Sequence, residues 1–365
     1  MDYIRTADAL LEEMRSRSGE WDWLRRHIMP HTQADADQEE NPAADNRRLH
    51  STVACESLHV LAGAHLMYIT PTGQQWFSLK SGREGNDKRS RYDEWFAKAT
   101  EITHKALANS NFYTVIHQCF LDRCLTGTGC VFCDTLPDGS LNFTHIPTGT
   151  YAIAEGRNKV VDTLARLFKL TPHQAVEQFG ADKLPQKIKD AWEDPKRRYT
   201  EKHQYLHLVI PRPGADFGHD LVNPLKMKWA SVYLAWDSDK TVIQEGGYNE
   251  FPFLVTRFLR FGESPYGYAP GLNVKEEIKA TLKLERVMDV LGEVAAFPRI
   301  MMLAEQVGEV DFRAGGRTVI KPQAAGLNLP REWGTSGRYD VGKDRIGDKE
   351  EKIRQAYYVP MLQVI

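Results

Sequence analysis

The chain has 365 residues, 42% hydrophobic and 10% aromatic, enough to bury a sizeable core and to form two or more domains. Its 47 Lys and Arg against 49 Asp and Glu give a formal net charge of −2, which argues against a protein that grips nucleic acid over a broad basic surface; any DNA contact is expected to be local or loose. The longest apolar runs fall short of the ~20 residues of a membrane span, the N-terminus lacks an apolar signal core, and five scattered cysteines point to free thiols, so a soluble protein of a reducing compartment is expected.

Helices come first along the chain. Ile4, Ala7, Leu11 and Met14 predict one over 3–17, and Trp21, Leu24 and Ile28 a second that stops before Pro30. The polar stretch 31–48 lacks periodicity and reads as a loop or arm. The next helix is expected from about Ser51, followed by a turn-rich ITPTG and an exposed basic loop over 81–91 with Arg83, Lys88, Arg89 and Arg91, which suits a solvated loop better than a DNA contact. Helices over 90–107 and 111–125 follow.

A β section begins near 129, with Pro137–Ser140 as a hairpin turn and strands around 150–155 and 160–168 continuing it. Thr171, Pro172 and Gln174 form a capping-box helix start with Gly180 as its stop, and a short helix over 184–193 comes next. The runs 203–213, 229–236, 241–247 and 251–261 are rich in β-branched and aromatic residues and predict strands. Thus the first 270 residues form an α+β body without solenoid repeats.

Chemical motifs are sparse. Cys119, Cys124, Cys130 and Cys133 include a Cys-x2-Cys half-site, but five-apart positions on a helix and three-apart positions on a strand do not share a face, so small buried thiols are favoured over zinc. His203 and His207 are four apart in a strand and read as surface or interface histidines. Walker, G-x-S-x-G and H-E-x-x-H patterns are absent, so no catalytic, metal or cofactor residue is assigned, no cofactor is expected and the chain reads as no enzyme.

A long helix is expected from about Asn273 to Phe297. Leu284, Val287, Met288, Leu291, Val294 and Ala295 share one arc, with Val274 and Ile278 at its margin, and that arc must pack on another helix or subunit. Lys275, Lys279, Lys283 and Arg286 share another, giving way to Asp289 and Glu293. From composition alone this is a solvated face. Beyond Pro298 the chain is Gly-rich and strand-like, then re-enters a helix at Asp348, where Asp348 with Glu351 has capping-box spacing, until Pro360 perturbs it.

The order of blocks carries a resemblance. Gly247, Tyr248, Glu250, Phe251 and Pro252 open a strand containing Arg257; Ser264, Pro265, Tyr266, Gly267 and Pro270 make a corner; the long helix ends at Pro298. With the blocks Asp45–Lys80 and Ser110–Asp134, this resembles the head-to-tail connector, or portal, proteins of short-tailed T7-like bacteriophages, over nearly the whole chain.

The resemblance implies an α+β portal fold: an α/β wing over 1–272, a first stem helix over 273–297, a small β-rich clip over 298–346 and the start of a second stem helix over 347–365. The family's members continue into more wing and a crown, so with the chain ending at Ile365 those parts are expected to be absent and some wing core unburied. Implied too is a dodecameric ring of this chain at one capsid vertex of the virion, assembled in the host cytoplasm, through which double-stranded DNA is packaged, retained and ejected. Lys275, Lys279, Lys283 and Arg286 become candidates for non-specific phosphate contact along the channel. Arg299, Arg313, Arg317 and Lys321 become candidates for the clip surface that meets the terminase large subunit and the tail adaptor, although ordinary hairpin charges explain them nearly as well. Major capsid and scaffolding proteins complete the implied partners; a membrane is not among them. The alternatives are a non-ring nucleic-acid-binding or replication-associated protein and another virion connector or adaptor.

Overall fold

The computed structural model describes residues 2–30, 51–80, 89–136, 138–214, 222–238, 240–296, 299–301, 331–333 and 339–362. The chain divides into two compact units, one of Met1–Lys275 with Arg354–Ile365 and one of Glu276–Ile353. The polar arm at 31–48 and the loop residues Arg83 and Lys88 lie outside the described residues.

The first unit opens with α1 (Tyr3–Ile28), capped by Asp2, whose side chain accepts from the Arg5 amide. It is one helix where the sequence pattern predicts two. The buried stripe Ala7, Leu11, Met14, Trp21, Leu24 and Ile28 keeps helical spacing across Gly19, and the burial outweighs the cost of about 1 kcal/mol for a glycine inside a helix. Then come α2 (Val53–Ile69), α3 (Arg89–Asn109) and α4 (Phe112–Thr126), close to expectation, with Arg89 and Arg91 in α3 rather than in a loop.

Strands β1 (Thr128–Thr135) and β2 (Leu141–Ile146) form the expected hairpin, pairing Cys130 with Ile146 and Thr135 with Leu141. In its turn the Asp138 carboxylate accepts from the Ser140 amide at 2.9 Å and Gly139 has φ +83°. β3 (Tyr151–Glu155) and β4 (Val161–Leu170) follow. Next is α5 (Pro172–Phe179), where Thr171 and Gln174 make the expected capping box, then α6 (Gln186–Glu193) and α7 (Arg197–Thr200). Strands β5 (His203–Pro211), β6 (Trp229–Ala235), β7 (Thr241–Tyr248) and β8 (Phe253–Arg257) complete the body, and α8 (Pro270–Asn273) follows the corner.

These strands do not continue one sheet. β3 to β7 form a five-stranded antiparallel meander in chain order, whereas β8 returns to pair with β1, giving a separate sheet ordered β2-β1-β8. The meander borders two buried clusters. Leu167, Leu206, Leu208, Val232 and Leu234 belong to one with Leu11 and Met14 of α1 and with Phe132 and Phe253 of the smaller sheet. Tyr205, Ala235 and Ile243 meet Ala175, Phe179 and Ile188 of α5 and α6.

Both faces being covered explains why the histidine expectation fails. His203 and His207 are buried, not on a surface, since β5 is the central strand. His207 stacks on Tyr233 at 4.0 Å, lies 2.9 Å from the Ser231 hydroxyl, and is held well below its ordinary pKa by burial and by Arg166.

In the second unit, α9 (Lys275–Ala296) leads to β9 (Arg299–Met301), which pairs antiparallel with β10 (Arg331–Trp333), and α10 (Tyr339–Ala356) returns. Gly342 sits against the Met288 side chain so closely that a Cβ there would overlap it. Helix α10 starts nine residues before Asp348, which therefore lies inside the helix rather than at its cap. Gly342, Ile346 and Ile353 share one face, and that seam, not the local capping spacing, sets the start. The helix also ends before Pro360: Tyr358 takes φ +60°, and α11 (Val359–Leu362) carries Pro360 in its first turn.

Candidate functional site

The corner between β8 and α8 joins α1, both sheets and the segment before α11. Gly267 donates its amide to the Thr128 hydroxyl at 2.8 Å, and the Gly127 and Gly267 backbones approach so closely that a Cβ on either would overlap the other. Tyr266 is buried 5.0 Å from the Trp21 ring, and its hydroxyl accepts from the Ile153 amide. Arg257 pairs with Glu155 and donates to the Pro265 carbonyl, while Arg260 reaches the same carboxylate at 2.9 Å. Gly271 leaves room for the Tyr357 hydroxyl. Helix α1, both sheets and the turn before α11 are thus tied at one point, and Thr128, Tyr266, Arg257, Arg260 and Glu155 are engaged there in structural contacts.

A cleft of about 510 Å³ beside the corner is lined by Glu13, Glu155, Arg157, Lys159 and Glu263 among others. Its charges are mixed and Glu155 is already bound by two arginines, so it presents no poised acid, base or nucleophile. Among the described residues no group of three or more His, Cys, Asp or Glu could hold a metal ion. Cys119, Cys124 and Cys130 are buried free thiols, and burial pushes Cys119 and Cys124 up to about 12, far from a metal-binding thiolate.

The basic row on the long helix separates into distinct environments. Lys275 is half-buried, its ammonium 5.4 Å from the Trp23 ring centre and 4.0 Å from Glu20, so it braces α1. Lys279 pairs with Glu276 at 2.7 Å. Lys283 and Arg286 are exposed, and among the described residues no ion pair engages them. The expected apolar arc is displaced toward its margin: Val274 and Ile278 are buried, while Val287 is 53% exposed. Side chains of Val294 and Ala295 lie outside the described residues, as do that of Arg299 and the whole of Arg313, Arg317 and Lys321.

The family described as bacteriophage head to tail connecting protein matches the chain over residues 2–365. The chain belongs to this family. It is a structural family without catalytic activity, and that membership answers the question of catalysis. The chain is similar to the probable portal protein of Bordetella phage BPP-1, at 25% identity over 74% of this chain and 48% of that one. It is similar also to the portal protein of Salmonella phage epsilon15, at 24% identity over 84% and 55%. The chain therefore spans about half the length of the curated relatives it matches. Among solved structures, a chain of a native gene transfer agent virion aligns over 68% of this chain and 55% of its own, at 11% identity and a TM-score of 0.35, too loose a likeness to carry an argument.

Two sites in this connector chain have no sequence signal. Asp122 is buried and accepts from Arg25 at 3.0 Å, from the Thr148 amide at 2.9 Å and from His145 at 3.1 Å. Burial pushes its pKa up, but Arg25, His145 and the amide outweigh that and hold it below the ordinary carboxylate value. Arg212 donates to the carbonyls of Pro224, Met227, Trp229 and Gly246 and to Glu245. In both cases the partners are far apart along the chain, and no spacing rule connects them.

Proposed function

We propose that the chain is the subunit of a portal ring at one capsid vertex of a short-tailed, T7-like bacteriophage, through which double-stranded DNA is packaged, retained and ejected. The observation that carries this reading is the family match over residues 2–365, together with the portal names of the two phage relatives. The order of elements fits it: a mixed body as wing, α9 and α10 as stem, and the β9–β10 ladder as the base of a clip. DNA contact is non-specific, made to phosphates from the stem, and the net charge of −2 suits a conduit through which DNA slides. Lys275, braced on Trp23, is the least suited of the four expected basic residues to face DNA.

The ring is a dodecamer closed by head-to-tail contacts between two different faces of each subunit. Its clip, with Arg299, Arg313, Arg317 and Lys321, meets the terminase large subunit during packaging and the tail adaptor afterwards, and its wing meets capsid and scaffolding proteins. Native mass measurement with negative-stain imaging of the purified chain tests this. A discrete ring of about a dozen copies with a central hole is expected. A monomer or dimer that binds DNA tightly and with steep salt dependence would instead favour a nucleic-acid-binding protein.

A further inference from the structure

The second unit carries two charge rows of the same spacing and opposite sign. On α9, Lys279, Lys283 and Arg286 follow one another at steps of four and three residues; on α10, Asp344, Asp348 and Glu351 do the same. At about 100° per residue each set falls within one narrow arc of its helix. All six are exposed, and among the described residues no ion pair engages Lys283, Arg286, Asp344 or Asp348.

Their heights match. The chain reverses between the two helices through the antiparallel β9–β10 ladder, and the helices touch where Gly342 meets Met288. Both rise about 1.5 Å per residue from that crossing. Arg286 lies two residues before Met288 and Asp344 two after Gly342, so they are level. Lys283 lies five before and Asp348 six after, level to within about one residue's rise. The apolar residues follow suit: Val290, 54% exposed, lies two residues after the crossing on α9, and Val341, 43% exposed, lies one residue before it on α10, on the same side of the crossing. Such a ladder in register is not required for solubility, for which any scatter of charge suffices.

We infer that the Lys283–Arg286 face of α9 packs against the Asp344–Asp348 face of α10 in the next copy of this chain, with Arg286 opposite Asp344 and Lys283 opposite Asp348. This rests on the ring reading above, with the helix pair running along the ring axis. Rotation about that axis leaves every residue's height unchanged, so residues level within one copy are level between neighbours. One acidic and one basic face per subunit is the arrangement a closed head-to-tail ring needs, and like faces repel, which disfavours a two-fold dimer. Exposed ion pairs are weak singly, and repetition around the ring is what gives the seam weight. Lys283 and Arg286 are thereby assigned to the seam between subunits instead of to the channel wall.

Charge reversal in the full chain tests the seam, with native mass and negative-stain imaging as the readout. K283E/R286D and D344K/D348R should each lose the ring species, and the four changes together should restore most of it. Folding is checked by circular dichroism, and it should be unaffected because among the described residues no ion pair engages these side chains. If K283E/R286D keeps its ring while losing packaged DNA, the residues face the channel and the seam is overturned. If it keeps both, the seam is overturned as well. Arg286→Cys with Asp344→Cys offers a second measurement: oxidation should give a ladder of disulfide-linked multimers, absent in either single variant, and its absence from assembled rings would sink the pairing. Failure of the unaltered chain to form any ring would instead overturn the portal reading on which the seam depends.

Discussion

Arg25 donates to Asp122 at 3.0 Å between two side chains that are 2% and 7% exposed, joining α1 to α4 across 97 residues of sequence. The same guanidinium donates to the Thr148 carbonyl, so one side chain holds two helices and the start of the meander. Removing one partner strands a buried charge, which costs about 3–5 kcal/mol. Arg25→Met and Asp122→Ala should each lower the unfolding free energy by that order in denaturant titration. A loss below about 1 kcal/mol, the scale of a surface pair, would show that the pair is no clamp. Because the Asp122 pKa is depressed in the folded chain, its contribution is present above the ordinary carboxylate value of 3.8 and is lost as pH falls through the folded value. The gap between the parent and Asp122→Asn should therefore close only in strong acid.

One buried and one half-buried histidine set a second acid sensitivity. His207 is held well below 6.5 by burial and Arg166, and His65 is lowered to about 4 by burial and Arg123, whose guanidinium lies 2.9 Å from its Nδ1. The unfolded chain takes up these protons near 6.5 while the folded chain resists, so the unfolded state binds more protons as pH drops and stability falls from about pH 6.5 downward. A fully buried group contributes a slope of up to about 1.4 kcal/mol per pH unit, and His65, which is less buried, contributes less. Urea midpoints between pH 7.5 and 5 should decline less steeply in His207→Gln than in the parent; parallel declines would remove His207 as the cause.

Glycines at the corner and in α1 should respond in opposite ways to alanine. Gly127 has φ +95° and faces the Gly267 backbone, so Gly127→Ala adds about 1–2 kcal/mol of left-handed strain to about 1–3 kcal/mol of overpacking. Gly19 lies inside α1 with nothing within 4 Å of an added Cβ, so Gly19→Ala should stabilise by about 0.5–1 kcal/mol. Thermal midpoints moving in the same direction would contradict the close approach at the corner.

Thiol reactivity should follow burial. Cys55 and Cys133 are partly exposed, whereas Cys119, Cys124 and Cys130 are buried, with the first two raised to about 12 by desolvation. Iodoacetamide applied to the native chain should label Cys55 and Cys133 first, and all five cysteines only after unfolding. Rapid native labelling of Cys119 or Cys124 would contradict the packing around α4.

Much of the fold was legible locally. The capping box at Thr171 and Gln174, the turn at Asp138–Gly139 and the stripe of α1 are each decided within one or two turns of chain, and all appear where the residues place them. Boundaries failed where a packed face overruled a local signal: the two helices expected before Pro30 are one, α1, and Asp348 does not start α10.

The order of blocks along the chain was enough, by itself, to place the protein among phage connectors, because a long ordered pattern is recorded residue by residue in the sequence. Which strand closes on which sheet, the burial of His203 and His207, and the meeting of Arg25 with Asp122 were decided only by the tertiary structure. Each depends on desolvation by residues distant in sequence, and no local spacing encodes what a side chain will be buried against.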